Sequence, residues 1–341
     1  MGAKFRVMRR TAVVQFERDS AADCRPLGQP ISCFDFCGRL RFRSERPFEL
    51  LDKHLMLIDC HHHLWTYSAE QYGWISDDMS RLKRDFLAPE LHSIARNAAS
   101  KDAASNDAAV TGFVSVQARQ SLQETDELLD IAASERLIRG VVGWVPLAAA
   151  DIQDVLDRYA GAELLKGVRH VVQDEPDDRF LLGRDFNRGV AQLKDHGLVY
   201  DVLILARQLP AAIEFANQHP AQPFVLNHIA KPEIKKSEFD RTWEFHLREL
   251  AKHDNMTCKF SGIATQVRDE TWDIETLRPY WDVALDAFGP QRLMYASDWP
   301  VCLLACEYQR WLTVVRELAS ELSPSEQADF FANNAIRVYG L

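Results

Sequence analysis

The sequence predicts an α/β protein folded as a distorted (β/α)8 barrel, and three observations carry that expectation. From Met56 to Leu341 there are 286 residues, against the roughly 250 typical of an eight-unit barrel with room for insertions. Eight short apolar runs recur along this stretch. Between them lie helical patterns, generally one per gap, the alternation that gives parallel βα units.

The runs follow in order. "MLID" (56–59) reads as the first strand, "AVTGFVSVQ" (109–117) as the second, "IRGVVGWVPL" (138–147) as the third and "LKGVRHVV" (165–172) as the fourth. "LVYDVLI" (198–204), "PFVLNH" (223–228), "MTCKFSG" (256–262) and "RLMYASD" (292–298) complete the eight. After the second strand, "SLQETDELLDIAASERL" places Leu122, Leu128, Leu129 and Ile131 on one broad apolar side, with Ser121 and Glu124 spaced as a capping box. "DFNRGVAQLKDHG" stops at Gly197, a residue free to take the left-handed turn that ends helices. "LPAAIEFANQHP" opens with Pro210 in the first turn and closes at Pro220. Residues 60–108 form a long insertion, aromatic at first and rich in Ala, Ser, Asn and Asp at its end. Its aromatic part is expected to cover a site and its last part to be exposed.

Composition narrows the function. The chain carries 40 Lys+Arg and 50 Asp+Glu, a net charge of −10 that opposes a nucleic-acid backbone or an anionic membrane. No run approaches 18 apolar residues, so no membrane span is expected. The charge is uneven: residues 1–55 sum to +4 and the remainder to −14. We read residues 1–55 as an N-terminal extension and 56–341 as the barrel domain. A structured segment, a disordered tail and translation upstream of the natural start are three readings of the extension, the last two preferred because Met56 directly precedes the interpretable pattern. Seven cysteines without a CxxC pair point to reduced thiols and a cytoplasmic location.

Chemistry-bearing residues sit at strand ends, where such barrels keep their sites. In "LIDCHHHLW", Asp59, His61 and His63 alternate just beyond an apolar strand, so extended geometry puts both imidazoles on one face and turns His62 away. In "RLMYASDWPV", Asp298 falls at the mouth as a carboxylate able to bind metal or to act as general base. His228 and Lys231 end the sixth strand. Arg169 and His170 are neighbours on the fourth, so only one faces inward; His170 is the expected inward residue and Arg169 the salt-bridging one. Trp65, Trp74, Trp144, Arg207 and Lys259 are candidate pocket-wall or substrate contacts.

Five separated blocks, "IDCHHHLW", "GVRHVVQDEPD", "FVLNHIAKP", "KFSG" and "YASDWPV", resemble in content and order the amidohydrolase-2 family, in particular its sugar-lactonase branch of L-fuconolactonase and L-rhamnonolactonase-like enzymes. The resemblance spans essentially Met56 to Leu341 and leaves residues 1–55 without a counterpart. It implies a distorted (β/α)8 barrel with His61 and His63 as the HxH pair, His228 as the later histidine and Asp298 as the final acidic residue. Arg169 and His170 match its "RH" block, Arg207 its "RQLP" arginine and Lys231 its "KP" element. "LVYDVLI" offers no histidine and "LKGVRHVV" no bridging lysine, so one metal rather than two is implied.

The expected activity is therefore opening of a sugar-acid lactone by water, with Asp298, His228 and His170 catalytic. One divalent ion, zinc or manganese, is expected near His61, His63 and Asp298, unless the HxH pair binds substrate directly. Trp65, Trp74, Trp144, Arg169, Arg207 and Lys231 would contact substrate. No organic cofactor, nucleic acid or membrane partner is expected. Hydrolysis of a pyrone dicarboxylate lactone, or decarboxylation of a small aromatic acid, is the alternative within enzymes; a non-catalytic binding barrel is the alternative outside them. Ser261 in "FSGIATQ" lacks the GxSxG context of an acyl-enzyme nucleophile.

Overall fold

Each apolar run becomes one strand of a single parallel sheet whose spatial order is the chain order. In the computed structural model, which describes residues 56–98 and 109–341, the first four strands are β1 (Leu57–His62), β2 (Val110–Val116), β3 (Ile138–Gly143) and β4 (Leu165–Val171). They are followed by β5 (Val199–Leu203), β6 (Phe224–Leu226), β7 (Met256–Phe260) and β8 (Leu293–Tyr295). The expectations for residues 1–55 and 99–108 lie outside the described residues.

The barrel closes between its first and last strands. There the Asp298 backbone N–H donates to the His61 carbonyl at 2.9 Å and that of His63 to the Trp299 carbonyl at 2.7 Å. The Asp59 carboxylate accepts the Ser297 N–H at 2.9 Å, so this aspartate serves the seam. Burial pushes its carboxyl up to about 6 against the opposing hydrogen bonds from Ser297.

The helices pack outside. They are α1 (Ala88–Ala98), α2 (Leu122–Ser134), α3 (Ile152–Arg158), α4 (Arg184–Leu193) and α5 (Leu209–Gln218). Then come α6 (Arg241–Leu250), α7 (Ile274–Phe288), α8 (Tyr308–Leu318), α9 (Pro324–Ala328) and α10 (Asn334–Tyr339). Gly197 takes the left-handed conformation, φ 68°, before β5, and Pro210 sits in the first turn of α5. The capping box at α2 forms differently from expectation. Ser121 Oγ accepts the Gln123 N–H, but Glu124 reaches back to the N–H groups of Ala118 and Arg119 at 3.0 and 2.7 Å, pinning the loop after β2.

Alternation along the strands divides the apolar residues into two groups. Phe113, Val141, Val168, Tyr200, Phe224 and Tyr295 face the helices in the large outer core. Ile58, Val114, Val142, Val199, Val225 and Met294 fill the lower barrel interior, where α10 adds Ala335 and Tyr339 as a floor. Lys166 Nζ donates to the Gly340 carbonyl at 2.8 Å and fixes that floor to β4. With the lower end packed, the open space is left at the C-terminal ends of the strands.

Candidate active site

A cavity of about 590 Å³ opens at this upper end and is lined by His63, Arg169, His228, Lys231 and Asp298, with Gln71, Gly73 and Trp74 from the insertion after β1. Trp74 of the aromatic insertion thus lies against this cavity.

His61 and His63 both reach the site, but not by unbroken alternation. The pairing of β1 with β2 shifts register between Asp59 and His62, so Cys60 stays with the inner core while Asp59 turns to the seam. His62 points away, its Nε2 2.9 Å from Ser115 Oγ and its ring against Phe113.

Asp298 is 3 % exposed and is the hub of the cluster. Its Oδ1 lies 3.6 Å from His61 Nε2, 3.4 Å from His63 Nε2 and 3.7 Å from His228 Nε2. Burial pushes its carboxyl up, yet the groups packed around it, the Lys231 ammonium among them, outweigh burial and hold it below the ordinary carboxylate range. Burial is also the main reason that His61, His63 and His228 are pushed down, so all three imidazoles are neutral near pH 7.

Donor chemistry fixes one tautomer. His63 Nδ1 lies 2.7 Å from the Val116 carbonyl, which only accepts, so Nδ1 carries the hydrogen and Nε2 the lone pair. That lone pair faces a carboxylate oxygen at 3.4 Å and His61 Nε2 at 3.2 Å. A lone pair facing a carboxylate oxygen in a buried site is unfavourable and is satisfied by a cation. Zinc bonds of about 2.0–2.1 Å place tetrahedral donors roughly 3.4 Å apart, close to the spacings found here. His61, His228 and Asp298 thus form a candidate metal site, all three buried, with His63 beside it. The carbonyl partner of His63 is the outer support usual for a ligating histidine.

The turn carrying His228 and Lys231 is unusual. Residues 228–231 all have positive φ, between 45° and 62°, a conformation costing L-residues roughly 1–2 kcal/mol each. Buried Ile229 and Ala230 and a 2.7 Å hydrogen bond from the Trp243 indole to the Ile229 carbonyl hold it. Such strain is kept where it aims side chains, and here it turns His228 and Lys231 to the same cavity. Opposite, Gly262 takes φ 67°, and a Cβ there would lie 2.8 Å from His228 Nδ1 and 3.1 Å from Asp298 Oδ2. Glycine is the only residue that fits beside this pair.

The parity of β4 resolves the opposite way from expectation. Arg169 pairs in register with Asp201 of β5 and faces inward. It is 4 % exposed, and its guanidinium lies 3.2 Å from both His61 Nε2 and Asn227 Oδ1 and 2.9 Å from Gln117 Oε1. His170, expected inward, is turned to the outer side: its Nε2 lies 2.6 Å from Glu175 Oε1 and its ring stacks on Phe180. The cause is that Gly167, Arg169 and the inner core share one phase of the strand, while Val168 and His170 share the other.

Three further candidate contacts lie off the cavity. Trp65 is buried, its indole donating to the Arg84 carbonyl at 2.9 Å and its ring supporting Trp74 edge-on. Trp144 faces His170 rather than the cavity. Arg207 is on the surface, paired with Asp178 at 2.8 Å. Lys231 does line the cavity and donates to Gln173 Oε1 at 2.7 Å.

Lys259, expected at the pocket wall, lies beneath the cavity instead, in a buried layer whose other members sequence reasoning missed. Lys259 of β7 and Asp201 of β5 are fully buried and 2.6 Å apart. The Asp201 carboxylate also accepts from Asn227 at 2.9 Å and from the Tyr339 hydroxyl at 2.7 Å. Lys259 Nζ lies 3.4 Å from His61 Nδ1, so this layer underlies the histidine directly. The available signal was the lone aspartate in "LVYDVLI" and lone lysine in "MTCKFSG": charged residues inside apolar strands require a partner.

The chain is 40% identical over 299 residues to the L-fucono-1,5-lactonase of Burkholderia multivorans, covering 83% of this chain and 96% of that protein. It is 30% identical to the L-fucono-1,5-lactonase of Burkholderia ambifaria, covering 83% and 94%. A crystal structure of an amidohydrolase from Burkholderia multivorans with bound zinc superposes with a TM-score of 0.77 at 39% identity, covering 84% of this chain and 99% of that one. The family model for amidohydrolases matches residues 58–341, which is the whole barrel from β1 onward; with its histidines and aspartate gathered at the C-terminal mouth, this chain belongs to the amidohydrolase family.

Proposed function

We propose that this protein hydrolyses a sugar-acid lactone of the L-fucono-1,5-lactone type to the free aldonate, and that the barrel domain, residues 56–341, carries the reaction. The observation that carries this reading is the ionised, nearly buried Asp298 ringed by neutral His61, His63 and His228 in a polar cavity, in a chain 40% identical to an L-fucono-1,5-lactonase.

The residues divide the work as follows. Asp298 accepts a proton from water as its oxygen bonds to the lactone carbonyl carbon. Arg169 and Lys231 stabilise the negative charge that develops on the carbonyl oxygen. The ring C–O bond then breaks, and protonated Asp298 returns its proton to the departing alkoxide, leaving a carboxyl and a free hydroxyl. A carboxylate held below its ordinary range is a weak base, and a divalent ion held by His61, His228 and Asp298, with His63 alongside, would supply the Lewis acidity that makes water a better proton donor. We assign zinc or manganese to that role, since both accept imidazole and carboxylate donors. Trp74 at the rim offers an aromatic face to the sugar ring.

A proton-release screen over fucono-, rhamnono- and galactono-lactones tests this reading. Turnover of at least one is expected, falling on chelation and returning with zinc or manganese. No turnover by folded, metal-supplied protein would overturn the lactonase reading, and full turnover by demonstrably metal-free protein would remove the ion from it.

His62 and His63 separate ligand from bystander. His63→Ala is expected to weaken zinc binding by about 10- to 100-fold, measured by competition with a chromophoric chelator. His62→Ala, whose ring packs on Phe113 away from the cluster, is expected to lower thermal stability and leave zinc affinity within about threefold. Equal losses of zinc affinity in the two variants would contradict this assignment.

A further inference from the structure

Trp144 and His170 do not line the cavity, yet they form an ordered chain that ends there. The Trp144 indole N–H, which can only donate, points at His170 Nδ1 at 3.4 Å. That nitrogen therefore carries the lone pair, and Nε2 carries the hydrogen that it donates to Glu175 Oε1 at 2.6 Å. The imidazole is fixed in plane by stacking on Phe180, 4.8 Å between centroids at 12°, with Phe186 against it at 5.7 Å. Every element of this chain has one direction.

Glu175 lies on the segment after β4, where Gln173, Asp174 and Glu175 all line the cavity. Its side chain is 25% exposed, and among the described residues its second oxygen, Oε2, has no hydrogen-bond partner. A carboxylate on the wall of a polar cavity, with one oxygen immobilised and the other without a partner, is a built acceptor for a substrate hydroxyl, since O–H···O⁻ bonds are the short, strong kind. It also disfavours a second carboxylate placed beside it by like charge.

We propose that Glu175 is a specificity-determining residue that reads one ring hydroxyl of the lactone, and that His170 and Trp144 are positioning residues that orient its carboxylate. This rests on the lactonase reading above and deepens it. A site built to accept a hydroxyl rejects an analogue that lacks it, because the desolvated acceptor is then left unpaired.

The test compares kcat and KM for the best lactone substrate and for its mono-deoxy analogues, in wild type and in Glu175→Gln, His170→Phe and Trp144→Phe. Wild type is expected to discriminate against one particular deoxy lactone by at least about tenfold in kcat/KM. Glu175→Gln is expected to lose that discrimination, mostly through KM, with the penalty on the matching deoxy lactone at least about tenfold smaller than on the parent. His170→Phe keeps an aromatic plane on Phe180, and Trp144→Phe keeps a ring, so partial loss of discrimination at the same hydroxyl is expected from each. Losses spread evenly over all analogues, or discrimination intact in Glu175→Gln, would overturn the assignment while leaving the lactonase reading standing. A wild type that hydrolyses none of the lactones would overturn both.

Discussion

Replacing Asp298 by Asn is expected to leave a folded protein whose lactone turnover falls by at least about 100-fold, the loss typical when a proton-transferring group is removed. The amide keeps the shape and an acceptor oxygen within reach of His61, His63 and His228, but it cannot take a proton from water. Zinc content of the variant must be measured alongside turnover. A folded, metal-replete variant with near-normal kcat would rule out the base role, whereas a loss matched by missing metal would make Asp298 a ligand only. The folded carboxyl titrates below its unfolded value, so its contribution to stability is complete above the unfolded pKa and is lost as pH falls through the folded one. A limb of kcat near neutrality therefore belongs to another group.

The second large effect is on stability. Lys259→Met is expected to destabilise the fold by about 3–5 kcal/mol, because it leaves the Asp201 carboxylate unpaired inside the barrel. Asn227 and the Tyr339 hydroxyl still donate to that carboxylate, but neither carries charge. Lys259→Met combined with Asp201→Leu is expected to recover part of the loss, since a buried pair replaced by apolar side chains removes both desolvation costs. Denaturant unfolding measures both; a Lys259→Met protein as stable as wild type would show that the pair carries no such role. Because Lys259 Nζ also approaches His61 Nδ1, the same variant connects the barrel interior to the site above it.

The placement of Arg169 shows where the sequence stops being informative. "VRHV" puts two cationic candidates side by side, and choosing between them requires the phase of the strand relative to the barrel axis, which Gly167 and the in-register pairing with Asp201 set. Phase is a property of neighbouring strands, so no local pattern in β4 contains it. Likewise, Trp65 and Trp144 are candidates by residue type and Arg207 by its match to a family block, and neither says which side of a loop or strand is wet. Glu175 drew no attention because an acidic residue in "QDEPD" looks like solvated loop until His170 is found bonded to it.

Eight strands, their parallel order and the convergence of His61, His63, His228, Lys231 and Asp298 on one mouth are legible in the chain alone. Those follow from period and apolar runs, which act locally, and from the rule that parallel βα units deliver all strand ends to one face. The folded barrel sets the register shift that parts Asp59 from His61, the run of positive φ at 228–231 and the need for glycine at Gly262. It also sets the Lys259–Asp201–Tyr339 layer that ties the C-terminal helix to the site. These depend on contacts between residues far apart in the chain, where burial makes an unpaired charge or a misplaced methyl group costly, and that cost exists only once the strands have closed around them.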